Sequence, residues 1–352
     1  MPEPADKFRG RGVPDNPANR FASTSGERFE DYDPSEDPAP RTQFIPDASA
    51  TLINYNDSPD IPFDASINVY RGCEHGCAYC YARPTHEYLG FSPGLDFETK
   101  IVVKYQAPGM LRREFSSPKW KPQTIAMSGV TDCYQPAERR LQLTRRCLEV
   151  FAEFRNPVGI VTKNYLVTRD LDLLAELARY NCAAVYVSVT TLDADLTPKL
   201  EPRAALPKLR LEAIRKLREA GVPVGVMAAP MIPGLTDHEL PKIIEAAAGA
   251  GAQYAGLVPL RLPFAVRDLF ADWLARHFPD RKEKVLNRVR SLRGGRLNDA
   301  RFGSRMTGEG IWAEQLRQLF EVSLRRHGLS ERGHALSTAN FRRPGGEQMK
   351  LL

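Results

Sequence analysis

From about residue 65 to residue 262, short apolar runs alternate with amphipathic stretches. The runs are SINVYRG (66–72), TIAMSG (124–129), VGIVTK (158–163), AVYVSVT (184–190), PVGVMAA (223–229) and YAGLVPL (254–260). They are rich in Val and Ile, and several are apolar at successive positions, the pattern of strands buried on both faces of a parallel sheet. Helical periodicity fills the intervals: 141–154 after a Pro136 start, 171–180, 206–220 with Gly221 as C-cap, and 237–250 with Thr236 as N-cap. Six strand–helix repeats of this kind imply right-handed crossovers. Eight such units are needed to close a barrel. The predicted fold is therefore α/β, a partial (β/α)6 TIM-type barrel. The pattern does not set strand order, so a doubly wound open sheet is the alternative parallel arrangement.

The flanks read differently. Residues 1–50 carry eight prolines, six basic and ten acidic side chains and no apolar period. Such a stretch predicts a mostly disordered acidic tail, because it buries too little surface to offset its ordering entropy. In the alternative, Phe8, Phe21, Phe29 and Phe44 anchor a docked arm. An insertion at 94–122 contains the partly alternating DFETKIVVK and a short helix near 110–115. The core spans 51–262. Beyond it, 263–352 shows helical patterns at 267–278, 281–292 and 311–326, with 18 basic and 10 acidic residues. We read this as a helical, basic C-terminal extension.

Composition narrows the class. With 352 residues, 42% hydrophobic and 26% charged, the chain is an ordinary soluble globular protein with material for a large core. No apolar run approaches a membrane span, and the first residues show no apolar leader, so a cytoplasmic protein with no membrane partner is expected. The net charge of +6 points weakly to an anionic partner.

The strongest chemical signal is Cys73-Glu-His-Gly-Cys77-Ala-Tyr-Cys80, directly after the first strand run. In parallel α/β folds, ligands bind at the C-terminal ends of strands. Clustered thiolates in a reducing compartment select zinc or an iron–sulfur cluster. Structural zinc wants four protein ligands, often as two separated pairs, and only His75 offers a local fourth. Three cysteines on a four-iron cluster leave one iron free to hold a small molecule.

The Cys-x3-Cys-x2-Cys spacing, with Tyr79 before the last cysteine, resembles the radical S-adenosylmethionine (SAM) superfamily. NVYRGCEHGCAYCYAR, MSGVTDCYQPAE, IVTKNYLVTRDLDLL and YVSVTTLD are similar to its spore photoproduct lyase-related, DNA repair photolyase-like branch, over roughly residues 50–262. The resemblance implies a 4Fe-4S cluster on Cys73, Cys77 and Cys80. Its open iron would bind SAM, whose reductive cleavage to a 5′-deoxyadenosyl radical serves hydrogen abstraction. It further implies a flavodoxin- or ferredoxin-type electron donor and a nucleic-acid or other macromolecular substrate, with lesion cleavage or modification as the reaction. Ser128, Gly129, Thr131 and Asp132 would lie by the methionine amino group, although this segment differs from the commoner Gly-Gly-Glu form. Lys163 would pair with the methionine carboxylate, Ser188 and Thr190 with ribose or carboxylate, and Tyr79 and Met227 would border the adenine. Only one group of three cysteines occurs, so no second cluster is expected.

Other residues have plainer readings. Thr131 and Asp132 also suit a turn that caps the Pro136 helix, Lys163 a solvated strand end, and Ser188 a packed strand hydroxyl. Cys133 and Tyr134 are the candidate catalytic hydrogen donors, although the lyases' cysteine precedes the Ser/Thr-Asp pair whereas Cys133 follows it. Cys147 and Cys182 read as small core residues, and His86 and His238 as surface or cap residues. SLRGGRLNDARFGSR and ANFRRPGG place arginines near Phe302 and Phe341, a pattern able to neutralise phosphates and stack a base. The competing class is a non-enzymatic zinc- or nucleic-acid-binding protein that keeps the barrel as scaffold.

Overall fold

The computed structural model describes residues 8–22 and 40–344. Among the described residues, ten strands form two sheets: β1 (Gln43–Pro46), β2 (Ile53–Tyr55), β3 (Ala65–Ile67), β4 (Tyr70–Arg71), β5 (Lys100–Val103), β6 (Ile125–Met127), β7 (Val158–Thr162), β8 (Ala183–Ser188), β9 (Val224–Met231) and β10 (Tyr254–Pro259). The main sheet has the order β10-β9-β8-β7-β6-β3-β2. From β3 to β10 every pairing is parallel, and β2 adds an antiparallel edge to β3. The six parallel strands appear in sequential order and the sheet stays open between β10 and β2, so the fold is the partial (β/α)6 barrel and not the doubly wound sheet. No helix among the described residues is long and apolar enough to cross a membrane.

The pleat explains the core. Val185, Val187, Val224, Val226 and Ala228 are fully buried, in one core with the apolar faces of helices Leu143–Phe154, Leu171–Arg179, Pro207–Glu219 and Leu240–Gly249. Each buried Val or Leu stabilises the fold by about 1.5–3 kcal/mol. Tyr186 and Met227 alternate with these residues and point to the other face. There a Cβ on Gly225 would come 2.6 Å from Tyr186 and one on Gly256 2.6 Å from Met227 Sδ, so glycine on the next strand makes room for each large side chain. Gly221 takes the left-handed conformation after its helix, as the C-cap reading requires (φ 77°). Thr236 differs from its expected role. A short 3-10 turn (Asp237–Glu239) precedes the α-helix, and the Thr236 hydroxyl accepts from Ile232 N at 3.0 Å.

The insertion supplies β5, which pairs with β1 and β4 in the smaller sheet. Residues 8–22 and 40–50 are seated on the barrel, so the expectation of a disordered tail does not describe them. Its remaining residues, Phe29 among them, lie outside the described ones. Residues 8–22 are held mainly by backbone and polar groups, which an apolar period does not reveal.

The extension is helical (Val266–His277, Lys282–Leu292, Ile311–His327), and its last segment has a structural task. Ser330 bridges to Tyr254 at the start of β10. From there the chain runs along the N-terminal ends of the strands. Tyr254 and His334 Nδ1 are 3.0 Å apart, Ser337 N donates to Asn181 O at 2.9 Å, and Arg342 N to Phe154 O at 2.9 Å. Phe341 packs with Phe115 and Phe154, and Arg343 donates to Ser117 O and Trp120 O. The base-stacking reading of ANFRRPGG is therefore corrected: its aromatic ring packs on Phe115 and Phe154, and both arginines are bonded to backbone carbonyls of the chain itself. At the other end, Gly303 N donates to Asp60 Oδ1 at 2.7 Å and Arg305 pairs with Asp60, which links the segment after β10 to the β2–β3 turn across the open seam.

Candidate active site

β3 leads through β4 into the cysteine loop at the C-terminal end of the sheet. Gly72 and Gly76 both take positive φ (82° and 67°), which lets the loop double back on itself. Cys73 and Cys77 are buried and Cys80 is half-buried. Burial raises all three thiol pKa values, and for Cys73 Asp132 and the other two sulfurs add to the rise. Three sulfurs within mutual electrostatic reach, two buried and one half-buried, fit a positively charged iron–sulfur group that would take them as thiolates. Among the described residues, no group of three or more His, Cys, Asp or Glu side chains is arranged to hold a single metal ion. His75 is no fourth ligand here. Its Nδ1 lies 3.4 Å from Asp132, its Nε2 3.1 Å from Asn164 Nδ2, and burial lowers its pKa toward a neutral ring.

Asp132 is a hub between strand ends. Its carboxylate accepts from Tyr134 N, Thr162 Oγ1 and Lys163 N, each at 2.8 Å. The 128–133 turn is tightly fixed. Ser128 sits at φ 82°, costly for a residue with a side chain, and its Oγ accepts from Cys133 N at 2.9 Å. Gly129 O accepts from Tyr81 OH at 3.0 Å, and Thr131 Oγ1 donates to Tyr70 O at 2.7 Å. Ser128, Gly129 and Asp132 thus border the cysteine loop, whereas the Thr131 hydroxyl is committed to β4.

A second hub was not visible in the sequence. Glu201, 1% exposed, follows β8 and gathers groups from four elements. Tyr79 OH from the cysteine loop donates to it, Thr190 Oγ1 donates at 2.8 Å, Arg210 forms a buried ion pair with it, and Lys163 Nζ stands 3.7 Å away. Lys163 also donates to Ala229 O at 2.9 Å, at the end of β9. Burial alone would raise the Glu201 pKa, but Arg210 and Lys163 bring it down to about 2. The carboxylate therefore stays charged and is neutralised by Arg210, leaving Lys163 as a positive charge inside the barrel mouth. Lys163 is not a solvated strand end. Ser188, Thr190 and Met227 lie on the strand ends around it, with the Ser188 carbonyl held by Arg210.

Cys133 and Tyr134 are turned the other way. Cys133 is 2% exposed in the hydrophobic core, and burial and Asp132 raise its thiol pKa. Tyr134 OH donates to Asp170 Oδ2 at 3.1 Å. Both belong to a packed layer with Tyr70 and Glu138 instead of the barrel mouth. Cys147 and Cys182 are buried as expected. His86 is no surface residue: it is buried between Phe91 and Phe97, and desolvation lowers its pKa to about 4.

The site is thus a three-cysteine loop after the first strand of an open six-stranded parallel barrel. The profile of the Radical SAM superfamily matches residues 67–247, and the chain belongs to that superfamily. It is 40% identical over 234 residues to an uncharacterized protein of Mycobacterium tuberculosis (strain H37Rv), covering 66% of this chain and 68% of that one. It is 31% identical over 173 residues to an uncharacterized protein of Methanocaldococcus jannaschii, covering 49% and 62%. Among solved structures, the fold is similar to spore photoproduct lyase complexed with dinucleoside spore photoproduct, with a TM-score of 0.58, 16% identity and coverage of 81% and 79%.

Proposed function

We propose that the chain is a radical SAM enzyme that holds a 4Fe-4S cluster on Cys73, Cys77 and Cys80 and binds SAM beside it. The observation that carries this reading is the three clustered thiols, two buried and one half-buried, beside a barrel mouth in which Arg210 and Lys163 share the single Glu201 carboxylate and leave one net positive charge. When bound, the cluster supplies the electron that opens the SAM sulfonium bond and so delivers a hydrogen-abstracting radical.

The chain's own residues bind and orient. Lys163 receives the methionine carboxylate as a point charge. Ser128 and Gly129 border the amino group, Ser188 and Thr190 the ribose, and Tyr79 and Met227 the adenine. Asp132 and Glu201 hold these strand ends at fixed spacing.

A nucleic-acid substrate is the class the rim favours. Tyr81, 48% exposed and next to Cys80, has the Arg261 guanidinium 5.1 Å from its ring centroid. Phe302 is exposed under Arg305, 4.5 Å away. The exposed rings can stack bases; Arg305 is already paired with Asp60, which leaves Arg261 as the cation available to a phosphate. The structural relative's own bound dinucleoside agrees with this reading. Cys133 has no part in it as hydrogen donor. The test is anaerobic: reconstitute the protein, reduce it with SAM and oligonucleotides present, and measure 5′-deoxyadenosine. Product from the wild type but not from Cys77→Ala supports the reading. No product from a spectroscopically intact cluster, with or without oligonucleotide, counts against it. Regenerated SAM indicates a lyase, and net consumption indicates modification.

A further inference from the structure

The N-terminal arm lies outside the family-matched region, yet it crosses the back of the cysteine loop. Gly12 packs backbone to backbone on it: a Cβ there would fall onto the Gly76 carbonyl oxygen and stand 3.3 Å from Ala78 N. Gly12 N and Val13 N donate to the two oxygens of Glu98 at 3.0 and 3.2 Å. Glu98 is fully buried and pairs with Arg83 at 2.5 Å. The same guanidinium donates to Cys77 O at 3.0 Å and Gly76 O at 3.4 Å. Arm, carboxylate, arginine and ligand-loop carbonyls thus form one buried network. Arg11 extends it, donating to Glu98 O, Pro40 O and Thr42 Oγ1, while Thr42 donates to Glu74 in the loop at 2.7 Å. Farther along, Leu95 N donates to Asp15 O, Asn19 to Glu87 O, and Arg20 pairs with Glu87.

We propose that residues 11–13 are positioning residues of the cluster site: the arm clamps the cysteine loop in its ligating conformation and shields its outer face from water and oxygen. This rests on the reading that Cys73, Cys77 and Cys80 ligate the cluster. Between Cys73 and Cys80 no residue belongs to a helix or strand, so the loop's shape depends on what packs against it. Without the arm, the buried Glu98 carboxylate loses two donors and the 76–78 backbone meets solvent. Loop opening becomes frequent while the barrel stays folded.

The test uses the full chain with two variants. Gly12→Val sets a branched side chain against the Gly76 carbonyl and unseats the arm. Arg11→Ala removes three hydrogen bonds without adding bulk. Hydrogen exchange at 73–80 is measured on the cluster-free protein, and bleaching of the visible absorbance in air on the reconstituted protein. Both rates should rise, by about tenfold or more in Gly12→Val and by less in Arg11→Ala, with exchange in β7 and β8 unchanged. Wild-type exchange and bleaching in a folded Gly12→Val, or in Arg11→Ala if Gly12→Val does not fold, would overturn the proposal. A wild-type chain that takes up no cluster would instead overturn the functional reading beneath it, and that outcome is visible before any variant is compared.

Discussion

Replacing Glu201 by Gln removes the charge at the centre of the barrel mouth and keeps its shape. A carboxyl moved from its ordinary 4.5 to about 2 has its charged form stabilised by about 3 kcal/mol. The same size follows from stranding Arg210, which is 1% exposed: removing one partner of a buried ion pair costs about 3–5 kcal/mol. Because the folded value lies below the unfolded one, this contribution is present in full above pH 4.5 and is lost as pH falls toward 2. Urea unfolding of the cluster-free protein reads it directly. With a slope of about 3 kcal/mol per M, the Glu201→Gln midpoint at pH 7 should fall by about 1 M. At pH 3 the gap should shrink to less than about half. Equal midpoints at pH 7, or the same gap at both pH values, would refute the reasoning.

Three further outcomes are expected. Lys163→Met should weaken SAM binding to the reconstituted protein by about 10–100-fold, the worth of one charge-assisted contact, as measured by equilibrium dialysis; a change below about twofold would remove Lys163 from the site. Cys133→Ala should form 5′-deoxyadenosine at the wild-type rate and lose about 1 kcal/mol of stability; abolished cleavage in a folded variant would return the thiol to the active site. Phe341→Ala should cost about 3 kcal/mol and leave retention on single-stranded DNA unchanged; selective loss of DNA binding at unchanged stability would restore its stacking role.

The barrel strands were legible because burial on both faces demands continuous apolar residues, as in AVYVS (184–188), and the cysteines because ligation demands their spacing. Glu201 was not legible. It lies in an unremarkable Leu-Glu-Pro-Arg stretch, and its partner Tyr79 is 122 positions away. The seating of residues 8–22 was not legible, because Gly12 and Val13 act through backbone N–H groups, which carry no side-chain signature. Phe341 and Arg343 looked like a nucleic-acid motif for a related reason: arginine hydrogen-bonded to carbonyls of its own chain has the same sequence as arginine waiting for phosphate. Cys133 sits next to a site residue in sequence, but Ser128 at positive φ turns the chain so that the thiol enters the core.

The central claim is a four-iron cluster on three cysteines with SAM beside it. The direct measurement is iron, acid-labile sulfide and zinc per chain after anaerobic purification and reconstitution, with electron paramagnetic resonance of the reduced protein before and after SAM is added. The account predicts about four iron and four sulfide per wild-type chain, a signal that SAM changes, and loss of both features in Cys77→Ala. Stoichiometric zinc without labile sulfide, or a cluster whose signal SAM leaves untouched, would contradict it.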